Sequence, residues 1–274
     1  MQVSVIFSTY NAPEWLEKAL WGWLAQEYKD FELVIADDGS TADTRDLIER
    51  VRAESGRKIR HIWQPDEGFR KCAILNKAIV AARGDYLVFS DGDCIPRADF
   101  VATHVRLARP GRYLTGGYFK LPREVSQLIS REDIVTGRVF ESQWLCAHGL
   151  HRGVRMWKLE AHGWVAHVLN HLSPAKPTFH GHNSSAWKAD ILAVNGYDER
   201  MGYGGQDTDF GYRLVHAGTR PYQMRYSTIC LHLEHERGYA SREGYQLGLA
   251  HRHETLRSRA KWTVHGIVKG ERHQ

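Results

Sequence analysis

Two aspartates that lie two residues apart are the part of this chain with the clearest chemical use. Asp91 and Asp93 directly follow the apolar run 86–89, which has the length and residue types of a buried strand. The glycine between them ends that strand, so both carboxylates are expected at its carboxyl end, where open α/β sheets place ligands. Two carboxylates there suit a hard divalent cation and the phosphates that it neutralises. In isolation the pattern also fits an ordinary loop.

Polar residues follow two earlier apolar runs in the same way. Residues 8–11 (Ser-Thr-Tyr-Asn) follow the run 3–7, and residues 37–40 (Asp-Asp-Gly-Ser) follow the run 31–36. Because parallel strands end at the same edge of a sheet, the three polar segments are expected to form one composite site. The alternative for the second segment is an ordinary turn with a helix-capping hydroxyl.

The first hundred residues alternate strand and helix patterns. The predicted strands span 3–7, 31–36, 59–63 and 86–89. A first predicted helix begins at Pro13 with Asn11 as its cap, and two further helices are predicted over 41–51 and 70–82. This alternation predicts an α/β fold with a mostly parallel central sheet flanked by helices. After residue 110 the pattern loosens. It predicts irregular helices over 123–172, a short strand region over 178–188, a helix over 207–217 and a basic helical extension over 237–274.

Composition sets wide limits on function. The chain has 274 residues, a formal net charge of +5 and 42% hydrophobic residues, which suits a globular domain that attracts anions. The charge is not arranged in any nucleic-acid-binding motif, so we expect no nucleic-acid partner. The four cysteines are scattered, which favours reduced thiols and a cytoplasmic protein. We expect no signal peptide and no transmembrane helix, since neither kind of apolar run occurs.

The first hundred residues resemble the family 2 glycosyltransferases, which have the GT-A fold. The stretches that carry the resemblance are 3–11, 33–40 and 82–86, the last running into Asp91-Gly92-Asp93. The resemblance implies a Rossmann-like, mostly parallel sheet, a UDP-sugar donor and Mn²⁺ or Mg²⁺ as the cofactor.

The same resemblance implies roles for five residues on the donor side. Ser8 and Tyr10 would border the nucleotide base, and Asp38 would contact the uracil or the ribose. Asp91 and Asp93 would hold the ribose and the metal–diphosphate group, with Asp93 the more direct metal ligand.

Segment 66–77 adds two candidates for donor binding. A glycine before a helix N-terminus, followed by Arg70 and Lys71, suits an anionic sugar nucleotide. The alternative is a basic first turn on a surface helix. In similar enzymes this stretch lies beside the donor, so Arg70 and Asn76 are expected to bind it.

The second half of the chain is similar to the acceptor-side segment of chondroitin-polymerase-type and β-1,4-galactosyltransferase-type enzymes. The similar stretches are 183–187, 195–199 and 204–209. The usual Gly-Gly-Glu-Asp-x-Asp pattern has Gln206 in place of its glutamate. Glutamine can hydrogen-bond to sugar hydroxyls but cannot accept a proton, which leaves Asp207 as the expected catalytic base. Gln206, Asp209 and Trp187 are the expected acceptor-binding residues.

A histidine after a late strand completes the metal shell in similar enzymes. His232 follows the apolar run 228–231 and is the expected second metal ligand beside Asp93. His235 is the alternative, and either histidine could instead be a surface residue.

Together these patterns predict a metal-dependent, inverting glycosyltransferase that moves a sugar from a UDP-sugar to a hydroxyl of a glycan or glycolipid. The setting would be surface polysaccharide synthesis (capsule or lipopolysaccharide) on the cytoplasmic side, with peripheral membrane contact through the basic extension. Two alternatives are a sugar-nucleotide nucleotidyltransferase and a non-catalytic glycan-binding module. The predicted domain spans 1–236, with a nucleotide-sugar half (1–109) and an acceptor half (110–236), followed by the extension 237–274.

Overall fold

The structure, a computed structural model, describes residues 1–235 and 242–270. Ten strands lie in these ranges: β1 Val3–Thr9, β2 Phe31–Asp37, β3 Ile59–Trp63, β4 Tyr86–Asp91, β5 Cys94–Pro96, β6 Arg112–Thr115, β7 Gly117–Lys120, β8 Ser184–Trp187, β9 Arg220–Gln223 and β10 Ile229–His232. The α-helices in the same ranges are α1 Pro13–Leu24, α2 Ala42–Ser55, α3 Lys71–Ala81, α4 Phe100–Leu107, α5 Arg123–Leu128, α6 Arg131–Val135, α7 Ser142–Ala147, α8 Trp157–Glu160, α9 Gly163–Leu172, α10 Lys188–Ala193, α11 Gln206–His216 and α12 Arg242–Ser258. Among them, no helix is both long and apolar enough to cross a membrane.

Seven strands form the central sheet in the order β3-β2-β1-β4-β8-β6-β9. Strand β1 pairs in parallel with β2 and β4, and β2 pairs in parallel with β3. Strand β8 runs antiparallel to both of its neighbours, β4 and β6. The predicted α/β fold with a mostly parallel sheet is therefore confirmed, with one reversed strand near its middle.

The central strands are mostly apolar because helices cover both faces of the sheet. Alternate residues of β1 face opposite sides: Phe7 packs with Trp23 of α1, while Ile6 packs in a second cluster with Ile74 of α3. This double burial explains why continuous apolar runs, and not alternating ones, marked the strands in the sequence.

The register of β1 brings three polar strand ends to one edge. Ser8 lies opposite Asp91 of β4, and Thr9 lies opposite Asp37 of β2. The three polar segments after β1, β2 and β4 therefore share one edge, as the sequence predicted. Strands β1, β2 and β4 each extend one or two residues beyond their apolar runs because these polar residues continue the backbone pairing.

A second sheet joins distant parts of the chain in the order β5-β10-β7. Strand β10 pairs antiparallel with β5, which places His232 directly opposite Cys94, and its other edge pairs in parallel with β7. Because Cys94 follows Asp93 in the chain, this register carries His232 to the edge where Asp93 lies.

The predicted role of Asn11 as a helix cap is wrong. Helix α1 begins after Ala12, without a side-chain cap, and Pro13 takes its first position. Asn11 has a positive φ of 43°, and its Oδ1 accepts a hydrogen bond of 2.9 Å from the Thr41 amide. The Asn11 amide in turn donates to Ser40 Oγ at 2.9 Å. The Asn11 side chain therefore links the loops that follow β1 and β2 and does not cap the helix.

The segment after residue 241 packs against the rest of the protein and is only partly helical. Helix α12 contacts α11, whereas residues 259–270 form no helix and dock on Asn195. The Asn195 Nδ2 donates to the carbonyls of Thr263 and Val268, and its Oδ1 accepts from the Val268 amide at 2.8 Å. Residues 236–241 and 271–274, which contain the predicted boundary at 236/237, lie outside the described residues.

Replacing Asn195 with alanine should lower the free energy of unfolding by about 3 kcal/mol. Three hydrogen bonds are lost and buried backbone groups stay unpaired, each at a cost of about 1–3 kcal/mol. Asn11→Ala is the matched control, because Asn11 also has a positive φ but bonds one exposed amide. Chemical denaturation of both variants measures the difference, and equal losses would mean that only backbone strain matters.

Candidate active site

A cleft of about 1000 Å³ opens at the carboxyl ends of β1, β2 and β4. The residues that line it come from both halves of the chain. They include Ser8, Tyr10, Trp15, Asp38, Phe69, Lys71, Asp91, Asp93, Arg123, His182, Tyr203, Gln206, Asp207, His232 and His235. Nearly all of the predicted donor, metal and base residues therefore meet in one cavity.

Lys71, the first residue of α3, forms an ion pair with Asp91 in this cleft. Its Nζ lies 2.7 Å from Asp91 Oδ1, and the same oxygen accepts a bond of 3.3 Å from Ser8 Oγ. Burial alone would lower the pKa of Lys71, but the carboxylates of Asp91 and Asp207 raise it well above its usual value. The ammonium therefore stays charged and offers a fixed positive charge to an anionic ligand.

Asp93 lies against two imidazoles. Its Oδ2 is 2.7 Å from His235 Nε2 and 3.6 Å from His232 Nε2. Burial alone would raise the pKa of Asp93, but the two imidazoles outweigh it and hold the pKa below its usual range. The carboxylate is thus ionised and ready to bind a cation.

The donor atoms beside Asp93 suit a divalent cation. One ligand atom each of Asp93, Cys94 and His232 lie within 4.8 Å of one another. Carboxylate and imidazole are acceptable ligands for Mn²⁺. Burial raises the pKa of the Cys94 thiol well above its usual value, so this soft group stays protonated. The residues present therefore fit Mn²⁺ or Mg²⁺ through Asp93 and His232.

Asp38 and Tyr10 form the wall of the cleft beneath β2. Both oxygens of the buried Asp38 are engaged, one by Gln64 Nε2 at 2.6 Å and the other by the Arg70 amide at 2.8 Å. Burial raises the pKa of Asp38. The Tyr10 hydroxyl donates to Asp66 Oδ2 at 2.9 Å. Asp38 thus fixes the loop before α3, and its position lets it meet a ligand along the same wall.

Asp207 is presented to the cleft by a tight glycine turn. Gly204 and Gly205, with φ angles of 104° and 87°, precede α11, and Gln206 Oε1 accepts the Gly204 amide at 2.9 Å. Helix α11 begins at Gln206 with Gly205 as its cap, so Asp207 lies inside the helix and does not cap it.

The Asp207 side chain is half-buried, and its carboxylate oxygen Oδ1 is buried and unbonded within the described residues. Its Oδ1 makes no hydrogen bond of ordinary geometry with any residue in the described part of the chain. This also holds for the neighbouring Tyr197 hydroxyl. A Cβ on Gly181 would lie 3.0 Å from Asp207 Oδ2, so glycine at that position leaves room for the carboxylate. Burial raises the pKa of Asp207, and Lys71 partly opposes this. A carboxylate with a raised pKa is a better proton acceptor than an ordinary aspartate.

Two of the residues expected to bind the donor point elsewhere. The Arg70 side chain pairs with Glu67, and its backbone amide is what contacts Asp38. Asn76 is buried and bonds the Tyr197 backbone and Glu199 Oε1 at 2.9 Å. We therefore assign Arg70 and Asn76 to the support of the cleft and not to its lining.

Two of the residues expected to bind the acceptor also lie outside the cleft. Asp209 is buried, 3.1 Å from Arg213 Nε, and accepts a bond of 2.5 Å from Thr255, which ties α11 to α12. Trp187 pairs with Tyr86 of β4. Tyr86 precedes Asp91 by five residues along this strand, so Trp187 lies about 17 Å from Asp91. The cause is the reversed direction of β8, which carries its last residue to the opposite edge of the sheet.

Lys71 and His182 line the cleft, although neither was among the residues expected to bind the donor, the metal or the acceptor. Lys71 shares a helical stripe with the buried Leu75 and Ala78, a signal that the sequence contained. His182 is half-buried. Its Nε2 atom is buried and unbonded within residues 1–235 and 242–270, and desolvation lowers its pKa to about 3. No spacing separates His182 from the other fifteen histidines, so only the fold identifies it.

Comparisons with known proteins agree with this geometry. The model described as glycosyl transferase family 2 matches residues 4–153, more than half of the chain, and the model described as the N-terminal domain of galactosyltransferase matches residues 165–236. Validoxylamine A glucosyltransferase of Streptomyces hygroscopicus subsp. jinggangensis (strain 5008) is 30% identical over 253 residues, covering 86% of this chain and 56% of that protein. Chondroitin synthase of Escherichia coli is 25% identical over 236 residues, covering 79% of this chain and 32% of that protein.

The chain thus spans about half, or less, of the length of these relatives. Among solved structures, that of GalNAc-T7 with UDP, GalNAc and Mn²⁺ matches with a TM-score of 0.64 at 12% identity, covering 93% of this chain and 48% of that chain. This match identifies the GT-A fold that the first hundred residues predicted. The chain belongs to glycosyl transferase family 2, and its second segment matches the model described as the N-terminal domain of galactosyltransferase.

Proposed function

We propose that this protein is a divalent-metal-dependent, inverting glycosyltransferase that moves a sugar from a UDP-sugar to a hydroxyl of a glycan or glycolipid. One observation carries the proposal. The incompletely bonded carboxylate of Asp207 lies in the same cleft as the Asp91–Lys71 pair and Asp93. A proton acceptor thus lies near a group of side chains suited to a metal-bound diphosphate.

On the donor side, Asp93 and His232 would hold the cation, with His235 braced against Asp93. When bound, Mn²⁺ or Mg²⁺ supplies Lewis-acid stabilisation of the negative charge on the departing UDP. Lys71, held by Asp91, adds a second positive charge beside the phosphates. Ser8, Tyr10 and Asp38 would border the nucleoside.

On the acceptor side, Asp207 would accept the proton of the attacking hydroxyl. The hydroxyl oxygen forms a bond to the anomeric carbon while the bond from that carbon to UDP breaks, so one displacement inverts the configuration. The proton moves to a carboxylate oxygen of Asp207. Gln206 is nearly buried and holds the glycine turn, and its amide can also bond an acceptor hydroxyl.

The relatives support the glycan acceptor and the nucleotide as proposals. Chondroitin synthase makes a polysaccharide by its name, and the GalNAc-T7 structure contains UDP and Mn²⁺. We propose surface polysaccharide, capsule or lipopolysaccharide, as the product, made on the cytoplasmic side. Family membership argues against a nucleotidyltransferase or a non-catalytic glycan-binding module.

Titration of UDP by isothermal calorimetry, with and without Mn²⁺, tests the donor side. Binding should require the metal, GDP and dTDP should bind more weakly, and Asp93→Ala should abolish metal-dependent binding with the fold intact. His232→Ala should weaken Mn²⁺ affinity by about 10- to 100-fold, and His235→Ala should weaken it much less. Equal UDP binding without metal would contradict the proposal, and a reversed order of the two histidine variants would make His235 the ligand.

Lys71→Met should raise the UDP dissociation constant by about 10- to 100-fold, because a hydrogen bond to a charged group contributes about 1.5–3 kcal/mol. Since Lys71 opposes the raised pKa of Asp207, the acid limb of the kcat–pH profile should also move to higher pH. Lys77→Met, an exposed lysine on the same helix, is the control. A lower melting temperature with unchanged UDP affinity would make Lys71 a purely structural residue.

Asp207→Asn should lower kcat by about 10²- to 10⁴-fold with donor affinity nearly unchanged. Only ionised Asp207 accepts a proton, so wild-type kcat should fall as pH drops through a pKa above the usual 3.9 or so. The variant should lack this limb. Asp209→Asn, the control, should lower the melting temperature because it weakens the buried pair with Arg213. Near-wild-type turnover in Asp207→Asn would refute the assignment of the base.

A further inference from the structure

Helix α9 turns an apolar side to solvent. Trp164, Val168 and Leu172, spaced four residues apart on one side of the helix, are 79%, 43% and 73% exposed. The opposite side carries the buried Ala166 and Asn170, and the Asn170 side chain bonds Ser227 Oγ at 2.7 Å and the Tyr226 amide at 2.8 Å. A surface helix normally buries its apolar side. Here hydrogen bonds hold the helix with Trp164, Val168 and Leu172, the apolar stripe, facing outward.

The chain around this helix is depleted of acidic residues. Between Glu141 and Asp190 the only acidic residue is Glu160. The same stretch contains five Lys or Arg residues: Arg152, Arg155, Lys158, Lys176 and Lys188. This stretch of the chain therefore carries a net positive charge, which an anionic surface attracts.

A pocket of about 70 Å³ lies at the N-terminus of α9, and we call it the Arg97 pocket. It is lined by His162, Gly163, His167, Arg106, Ser227 and Arg97 itself, together with Asp99. Its volume exceeds the space that one water needs, and the positive end of a ten-residue helix borders it.

Arg97 lines this pocket and carries an unpaired hydrogen-bond donor. The residue is 7% exposed, its Nε and Nη2 bond Asp99, and Nη2 also bonds the Ser227 carbonyl at 2.9 Å. Its Nη1 is buried and has no hydrogen-bond partner among residues 1–235 and 242–270. An unpaired buried guanidinium N–H is costly unless a ligand accepts it. A phosphate oxygen is the acceptor that best suits such a group.

The pocket and the stripe form one surface. Gly163 and His167 line the pocket, and Trp164 and Val168 each follow them by one residue, about 100° further around the helix. Ser227 bonds both Arg97 and Asn170, which fixes α9 relative to the pocket. A layer that contacts the stripe can therefore also place an anionic group in the pocket.

We propose that this surface docks the protein on an anionic membrane, with the apolar stripe in the interfacial layer and a lipid phosphate in the Arg97 pocket. Trp is favoured at the membrane–water interface, and amphipathic helices with basic surroundings bind anionic lipids in this way. The residues of the stripe and the pocket are separate from those that line the catalytic cleft. The proposal thus does not depend on the donor, the acceptor or the base.

Co-sedimentation of the full chain with vesicles tests this surface. Binding should be much stronger to vesicles of phosphatidylcholine with phosphatidylglycerol than to phosphatidylcholine alone. Leu172→Ser should weaken binding about tenfold, the scale of partly burying one leucine. Leu128→Ser, at a leucine that is 62% exposed at the end of α5, should not. Arg106→Gln should weaken binding to the anionic vesicles more than Arg83→Gln, which changes an exposed arginine before β4. Circular dichroism and the melting temperature confirm that each variant is folded.

Three results would overturn the proposal. The first is equal binding to neutral and anionic vesicles. The second is that the protein binds inorganic phosphate but not vesicles, and that Arg106→Gln weakens the phosphate binding. The Arg97 pocket would then be a site for the free anion only. The third is a dimer in solution that Leu172→Ser dissociates, without vesicle binding, which would make the stripe a contact between two copies of the chain.

Discussion

The arrangement of the cleft depends on one partly buried ammonium, that of Lys71. Three carboxylates, those of Asp91, Asp93 and Asp207, lie close enough to raise its pKa against the effect of burial. Without this charge the carboxylates would repel one another in a partly dry cavity, and their neutral forms would be favoured. Lys71 thus joins the donor side, through its pair with Asp91, to the acceptor side, where it restrains the pKa of Asp207.

The second constraint is the register of the small sheet. Because β10 is fixed between β5 and β7, His232 lies opposite Cys94 and next to Asp93. His235 and Asp93 are 142 residues apart in sequence, yet their side chains lie 2.7 Å apart. A candidate metal site built this way requires both halves of the chain to fold. This explains why the second half, with its irregular helices, is needed for the chemistry suggested by the first half.

Strand β5 also relates the cleft to the proposed membrane surface. Asp93 precedes this three-residue strand and Arg97 follows it, so the two sites lie about 13 Å apart along the backbone. If α9 rests on a membrane, the cleft is held at a short and fixed distance from the lipid headgroups. Rigidity between the two sites follows from the backbone pairing of β5 with β10.

The sequence by itself determined the α/β fold and the shared edge of three strand ends, which brings Ser8, Tyr10, Asp38, Asp91 and Asp93 together. These features follow from local patterns, because apolar runs mark buried strands and glycines mark the turns after them. Asp207 and His232 were expected only from the resemblance to known enzymes. The sequence failed where the direction of a side chain depends on distant contacts. Arg70 and Lys71 are adjacent and both basic. The helical stripe places Lys71 with Leu75 and Ala78, but only the packing of α3 decides that this stripe faces the cleft.

Only the tertiary structure decided the remaining positions. The reversed direction of β8 moves Trp187 to the far edge of the sheet, and the burial of Asp209 between Arg213 and Thr255 makes it part of the helix packing. The outward-facing stripe of α9 likewise has an ordinary amphipathic pattern, and the sequence cannot say which side is buried. The physical reason is common to all three: periodicity fixes which residues share a face, but the partner of that face is set by long-range packing.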